Sequence, residues 1–163
     1  MMSLLTALML LSLPTSGAQG GAVEIDRVLS TVHATKIWRS DVRQARLLKL
    51  VPQATTDEAI LLALENRVLI MAEVSRSPQA YDPPAEEVAR HRSEWERTLG
   101  GGHLPDLLGK AGMTAPELEG WLRADLKIRK YIEQRFGALP AAERQTRIDE
   151  WTKDLRQRAG LKI

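Results

Sequence analysis

The chain of 163 residues contains no cysteine and few aromatic side chains. The absence of cysteine excludes disulfide bonds, zinc-thiolate sites and a thiol nucleophile, and a protein of this size can fold without them. Aromatic residues make up 4% of the chain, as four Trp, two Tyr and one Phe. Charge of one sign is not in large excess either, because 23 basic residues face 21 acidic ones. This balance requires no nucleic acid or other polyanion as a partner.

Hydrophobic residues account for 44% of the sequence and charged residues for 27%, which is typical of a globular protein. A chain of this length forms one domain of ordinary size and buries roughly two-thirds of its unfolded surface. A self-sufficient core is therefore possible.

The first stretch, residues 1–18, carries no charged side chain and runs apolar from Leu4 to Leu13. Pro14 breaks this run, and Ser16-Gly17-Ala18 places small residues before a possible cleavage point. This arrangement is typical of a secretory signal peptide. It predicts an exported protein whose mature domain comprises residues 19–163.

A transmembrane helix is the alternative interpretation of the same stretch. A spanning helix needs about 20 apolar residues, and the run has only about half that number. Without cysteine, a lipoprotein anchor is also excluded. We expect no stable membrane insertion of the mature chain.

The segment from Thr56 to Arg76 is apolar on nearly every side at helical spacing. Thr56 is suited to the N-cap, and acidic residues follow in the first turn, where the helix dipole favours them. Leu62 and Leu69 lie opposite a broad apolar stripe. The stripe comprises Ile60, Ala63, Leu64, Val68, Met71 and Val74. A helix of this kind is expected to be buried, with the other elements packed around it.

The remaining pattern predicts a mainly α fold, in which several helices surround the central one and a small antiparallel hairpin precedes them. The hairpin joins Val28–Val32 to Lys36–Trp38, and its turn lacks the Asn-Gly pair that accepts positive φ, so a loose loop or a strained residue is expected. A last strand at Leu161–Ile163 is expected to join the hairpin. The other predicted helices begin at Asp41 after a Ser40 cap and span Glu86–Leu99, Leu104–Lys110, Glu117–Phe136 with a Thr114 cap, and Pro140–Ala159.

Motifs for catalysis or metal binding are not found. The three histidines have no helical i, i+4 partner for a metal, and surface or turn positions are expected for them. The Gly100-Gly101-Gly102 triplet lacks the strand and the Lys-Ser/Thr of a phosphate loop, so it is interpreted as an interhelix break. A DNA-binding helix-turn-helix over 107–123 is disfavoured because its second helix begins with carboxylates. We expect no catalytic residue, cofactor or metal, and no nucleic-acid partner.

Tryptophan, leucine and methionine are the side chains that favour binding of varied apolar segments, because they adapt without fixed polar geometry. Trp121 and Trp151 lie on well-formed apolar stripes and are expected in the core. Trp38 and Trp95 lie on a short strand and a narrow stripe, where one of them is expected to line a surface groove. The candidate peptide-binding residues are Trp38, Leu47, Leu50, Met71, Trp95 and Leu99.

The order of these motifs resembles the N-terminal domain of SurA-type periplasmic chaperones, which is related to trigger factor. The resemblance rests on Asp26–Val32 with Ile37 and Ser40-Asp41-Val42, Ala63–Glu73, Ala111–Thr114 with Glu117-Leu118, Asp125–Ile132, and Trp151 with Asp154–Arg156 and Leu161–Ile163. It covers nearly all of the mature chain. Each motif alone is loose, but their order is moderately specific.

This resemblance implies a chaperone domain that binds unfolded outer-membrane proteins. Family members commonly carry a parvulin-type prolyl isomerase domain before the closing helix, and here only Gly137-Ala138-Leu139 stands at that point. The resemblance therefore carries over no catalytic residue. Two alternatives stay open: an accessory subunit with one fixed protein partner, and a prolyl isomerase-related protein without its catalytic domain.

Overall fold

The structure is a computed structural model that describes residues 26–101 and 103–162. The signal peptide predicted for residues 1–18 lies outside the described residues. Within them, two strands are followed by six helices, so the predicted mainly α fold with an antiparallel hairpin is confirmed. The elements are β1 (Val28–Val32), β2 (Thr35–Trp38), α1 (Arg39–Leu47), α2 (Asp57–Arg76), α3 (Ala85–Thr98), α4 (Leu104–Ala111), α5 (Ala115–Phe136) and α6 (Ala141–Arg158).

The hairpin has a tighter turn than the sequence suggested. Val32 pairs with Thr35, so only His33 and Ala34 form the turn. His33 has a φ of 53°, which is the strained backbone expected where the Asn-Gly pair is missing. The register shifts around Leu29, where a bulge leaves an unpaired residue in β1.

Helix α1 begins at Arg39, directly after β2, and not at Asp41. The predicted Ser40 cap is wrong, because the Ser40 hydroxyl donates a hydrogen bond to Asp26. The Asp41 carboxylate instead accepts the Trp38 backbone N–H at 2.7 Å. The first turn of the helix is thus bonded both to β2 and to Asp26, two residues before β1.

Three helices end with the same backbone arrangement, in which a left-handed residue directs the chain back onto the domain. The N–H of the residue after the left-handed one donates to a carbonyl of the last turn, as in Leu50 to Ala45, Met113 to Leu108 and Leu161 to Arg156. The left-handed residues are Lys49, Gly112 and Gly160. Glycine takes this conformation without strain, whereas lysine does not.

The central helix α2 keeps its predicted bounds, with the Thr56 hydroxyl accepting the Ala59 N–H at 3.1 Å. It packs against the hairpin, α1, α5 and α6. The apolar residues buried at these contacts form the main core. They are Val32, Ile37, Val42, Ala45, Ile60, Leu64, Leu69, Ile70, Val74, Ile128, Phe136, Trp151 and Leu155.

Burial of α2 on all sides is the part of the prediction that is wrong. Leu62 is 44% exposed, whereas Leu69, predicted to lie on the same side of the helix, is 2% exposed. Glu65, one turn away, is only 8% exposed although it carries a charge. Its carboxylate accepts the Ser30 hydroxyl at 2.5 Å and lies 2.9 Å from Arg156 of α6.

A second core joins the end of α1 to α3, α4 and α5. It comprises Leu48, Trp95, Leu108, Ala111, Leu118 and Leu122. The Trp95 indole N–H donates to the Leu48 carbonyl at 2.9 Å, which satisfies a polar group in this apolar setting. Helix α5 contributes to both cores and connects them.

The predicted third strand is not formed by Leu161 and Lys162, and Ile163 lies outside the described residues. The only described sheet has two strands. Leu161 packs against the main core, and the Arg156 guanidinium donates to the Lys162 carbonyl at 2.6 and 2.8 Å. The tail is therefore held by α6 in place of a strand ladder.

Candidate functional site

A cleft of about 620 Å³ lies beside the hairpin, between β2, α1, α2 and the beginning of α5. We call it the hairpin cleft. Its volume falls within the range of about 300–1,000 Å³ that small ligand sites have. Its main apolar lining consists of Leu50, Leu64, Val68, Met71, Met113 and Trp121.

Helix α2 supplies one continuous side of the hairpin cleft. Leu64, Val68, Met71 and Ser75 follow each other at spacings of three and four, so they share one face of the helix. The sequence places Leu64, Val68 and Met71 on the stripe predicted to be covered by the rest of the chain. Val68 and Met71 are only half-buried, so this end of the stripe is left partly open.

Trp121 of α5 forms the opposing aromatic side, and Arg67 of α2 holds it. The Arg67 guanidinium carbon lies 3.8 Å from the Trp121 ring centroid, a cation-π distance. Nη2 of the same group donates to the Trp121 carbonyl at 2.6 Å. Both residues line the hairpin cleft, so this pair fixes one of its walls.

Behind this wall lies a charged cluster centred on Asp125. One carboxylate oxygen is 3.3 Å from Nη1 of Arg67, and the other is 2.9 Å from Nη2 of Arg129. Asp125 and Arg129 lie four positions apart on α5, a spacing at which opposite charges pair along a helix. His91 of α3 joins the cluster through Nε2, 3.0 Å from Asp125.

The histidine prediction is wrong at one of its three positions. His91 is 7% exposed, whereas His33 lies in the hairpin turn and His103 is exposed before α4. A buried histidine has to satisfy its ring nitrogens, and Asp125 and Arg129 supply partners within 3.4 Å. This arrangement ties α3 to α5, and no sequence spacing points to it.

Two carboxylates at the edge of the hairpin cleft are engaged by helix starts. Asp41 accepts the Trp38 N–H, and Glu117 accepts the Thr114 N–H and hydroxyl, each at 2.7 Å. The hydrogen bonds from Thr114 lower the pKa of Glu117 below its ordinary value, because they favour the ionised form. These carboxylates serve as helix caps.

Of the six candidate peptide-binding residues, Leu50 and Met71 line the hairpin cleft. Trp38 and Leu47 are 36% and 42% exposed but lie outside its lining. Trp95 is buried in the second core, and Leu99 packs half-buried against the same core. The expectation that Trp38 or Trp95 borders a groove therefore does not hold for this cleft.

Sequence reasoning missed Trp121, Met113 and Arg67 as cleft residues. Trp121 lies on the apolar stripe of α5 and was expected in the core, but it is only half-buried. Met113 follows Gly112, whose left-handed backbone turns it toward the cleft. The sequence does contain a signal for Arg67: it lies three residues after Leu64 and four before Met71, so it is a cation on an otherwise apolar face of α2.

A second groove of about 770 Å³ lies on the other side of α1. Its lining mixes Arg27, Arg39, Arg43 and Arg46 with Asp26, Asp57 and Glu58. Arg46 pairs with Asp57 across it. Because both signs of charge line it, this groove offers no distinct ligand preference.

In residues 26–101 and 103–162, no helix is both long and apolar enough to cross a membrane. In the same residues, no group of three or more histidine or carboxylate side chains is arranged to hold a metal ion. Comparisons with protein-family models, with curated proteins and with solved structures find no match to this chain.

Proposed function

We propose that this protein is a non-catalytic, chaperone-like protein of the periplasm that binds extended apolar segments of unfolded polypeptides, outer-membrane proteins among them, in the hairpin cleft. The observation that carries the proposal is the open apolar face of α2. Val68 and Met71, opposed by Met113 and Trp121, surround a space of about 620 Å³ next to a strand. Unbranched methionines adapt to side chains of different shape, which suits a binder without a single fixed partner.

Further support comes from the polar groups at the edge of the hairpin cleft. Asp41 and Glu117 are committed to helix caps, and Arg67 donates hydrogen bonds to the Trp121 carbonyl and to Asp125. The proposal therefore includes no catalytic step. Apolar contacts in a partly open cleft are individually weak, because a bound segment loses conformational entropy, and weak contacts permit release without ATP.

Export and clients are part of the proposal and rest on the sequence. The apolar run from Leu4 to Leu13 is typical of a signal peptide, and the order of motifs resembles SurA-type chaperones. Outer-membrane proteins cross the periplasm unfolded and expose alternating apolar residues, which match a cleft lined by one helix face and one strand.

The experiment is an aggregation assay with purified residues 19–163. An outer-membrane β-barrel protein is diluted from urea, and light scattering is followed with increasing amounts of the domain. We expect wild type to delay aggregation at modest molar excess and Met71→Glu to lose this effect, because a charge in the cleft is costly to desolvate.

Leu62→Glu is the matched control, because it places the same charge on the same helix at an exposed site away from the cleft. It should behave as wild type. Equal aggregation with and without wild-type protein would refute the holdase activity. Pull-down of one stoichiometric protein without affinity for unfolded chains would favour the accessory-subunit alternative.

A further inference from the structure

Arg67 is an unusual residue for an apolar cleft. Its side chain is only 14% exposed, yet it borders the same space as Leu64, Val68 and Met71. A buried cation is costly unless anions and hydrogen-bond acceptors surround it. Burial indeed lowers the pKa of Arg67, and the neighbouring Asp125 opposes this effect as the smaller influence.

The guanidinium retains free donors. It has five N–H bonds, of which Nη1 donates to Asp125 and Nη2 to the Trp121 carbonyl. Nε donates to no group in the described part of the chain. Every fully buried side-chain nitrogen or oxygen in that part of the chain has a hydrogen-bond partner, so Nε, which has none, is not fully buried. Arg67 lines the hairpin cleft, which is therefore the space open to this donor.

The Asp125 carboxylate is shared by three groups. It is the ion-pair partner of Arg67 in the described part of the chain, and it also lies 2.9 Å from Arg129 and 3.0 Å from His91. The carboxylates that line the cleft, Asp41 and Glu117, already accept hydrogen bonds at helix starts, whereas Lys36 and Arg67 bring two cations to the same lining. These two cations are the groups that can bind an anionic ligand.

The strand beside the cleft favours a polypeptide as the source of that anion. Val32 and Thr35 flank a two-residue turn and form a hydrogen-bonded pair, so the next residue, Lys36, directs its N–H and C=O away from β1. Thr35, Lys36 and Ile37 of β2 line the cleft. An extended peptide can use such main-chain groups, whereas a fatty acid has none to match them.

We propose that the hairpin cleft preferentially binds the C-terminal end of an apolar polypeptide, with the terminal carboxylate on the guanidinium of Arg67. The last side chains of the ligand then lie among Met71, Met113 and Trp121. This inference rests on the proposed function and adds a preference for chain ends over internal segments.

The test compares two forms of one peptide that carries an N-terminal fluorophore and ends in Leu-Val-Phe. One form has a free C-terminal carboxylate and the other a C-terminal amide. Fluorescence anisotropy at neutral pH and low salt gives both dissociation constants. We expect the acid to bind wild type at least about tenfold more tightly, since a hydrogen-bonded charge pair in a partly buried site contributes that much.

Arg67→Gln should bring the acid down to the affinity of the amide. Arg129→Gln is the matched control, because it removes the other guanidinium of the cluster, which is 58% exposed and outside the cleft lining. It should preserve the preference. Circular dichroism establishes whether each variant is folded. If Arg67→Gln does not fold, the comparison of the acid and amide peptides on the wild-type protein still tests the inference.

Equal affinity of acid and amide for wild type overturns the inference and leaves the proposed function intact. The inference is also overturned if decanoate displaces the labelled acid peptide at a lower concentration than unlabelled peptide does, because a lipid carboxylate is then the better ligand. If neither peptide binds but aggregation is still delayed, the inference fails alone. If neither effect is seen, the proposed function fails and the inference with it.

Discussion

Replacing Arg156 by methionine is expected to destabilise the protein by about 3–5 kcal/mol, because it leaves Glu65 buried without its counter-ion. The side chain of Arg156 is 8% exposed and that of Glu65 is 11% exposed, and Nη1 of Arg156 lies 2.9 Å from the Glu65 carboxylate. The same guanidinium donates to Asn66 and to the Lys162 carbonyl. Its removal therefore affects the hairpin, α2, α6 and the tail together.

This loss is large relative to the total free energy of unfolding. Domains of this kind are stable by about 5–15 kcal/mol, so the change removes a substantial share of the free energy of unfolding. Methionine retains most of the aliphatic volume of arginine, which limits the contribution from a cavity. What remains is the Glu65 carboxylate, which keeps only the Ser30 hydroxyl as a donor in the described part of the chain, and the Lys162 carbonyl, which loses both of its bonds from Arg156.

Urea unfolding followed by circular dichroism measures the change as a shift of the midpoint at constant slope. Arg158→Met is the control, because Arg158 pairs with Asp154 on the same helix but is 56% exposed. Such a surface pair contributes about 0.2–1 kcal/mol. A loss below about 1 kcal/mol for Arg156→Met would refute the reasoning.

The double variant Glu65→Met, Arg156→Met separates the pair from the rest of the network. It should be less destabilised than Arg156→Met alone, because no carboxylate is then left buried and unpaired. The difference between the double variant and the sum of the two single variants is the coupling free energy. A coupling near zero would mean that the two groups do not stabilise each other.

Leu64→Ala should destabilise the protein by about 2–5 kcal/mol in urea, whereas exposed Leu62→Ala should change it by less than about 0.5 kcal/mol; equal losses would contradict the burial of α2. Lys49→Gly should raise stability by up to about 1 kcal/mol, because it relieves a left-handed lysine at φ 47°, and a loss would show that the bond from Nζ to Thr98 matters more. The hydrogen bonds from Thr114 hold the pKa of Glu117 below 4.5, so its contribution to stability is present above that pH and is lost as the pH falls through the lower folded value. In Glu117→Gln the melting temperature should consequently fall less steeply below about pH 4.5 than in wild type, and parallel curves would contradict this.

Helix boundaries were largely predictable, because they are set by short-range signals. Thr56 and Thr114 cap α2 and α5 through bonds to residues three positions on, and Gly112 ends α4 in the left-handed conformation. Such signals lie within one turn of the chain. Ser40 shows the limit of such short-range signals. Its hydroxyl and its N–H donate to Asp26, fourteen positions away, and it does not cap α1.

The polar groups inside the fold were not predictable for a related reason. Glu65 has a side chain that is normally exposed, and it is buried only because Arg156 approaches from α6. His91 is buried through Asp125, 34 positions along the chain. The sequence contains both partners, but no local pattern states that they meet.

The hairpin cleft exists because part of the apolar stripe of α2 is left uncovered, and the hydrophobic pattern does not say which part. An apolar face of a helix requires cover, but the pattern does not say whether the cover is the same chain. Along α2, Ile60, Leu64 and Val74 are covered by this chain, while Val68 and Met71 remain half-buried beside an open space. Apolar surface that a chain leaves uncovered in a concave place favours association with other apolar groups. The same stripe therefore supports both the core and the proposed binding of a client, and its division between the two depends on where β2 and α5 end their contact with it.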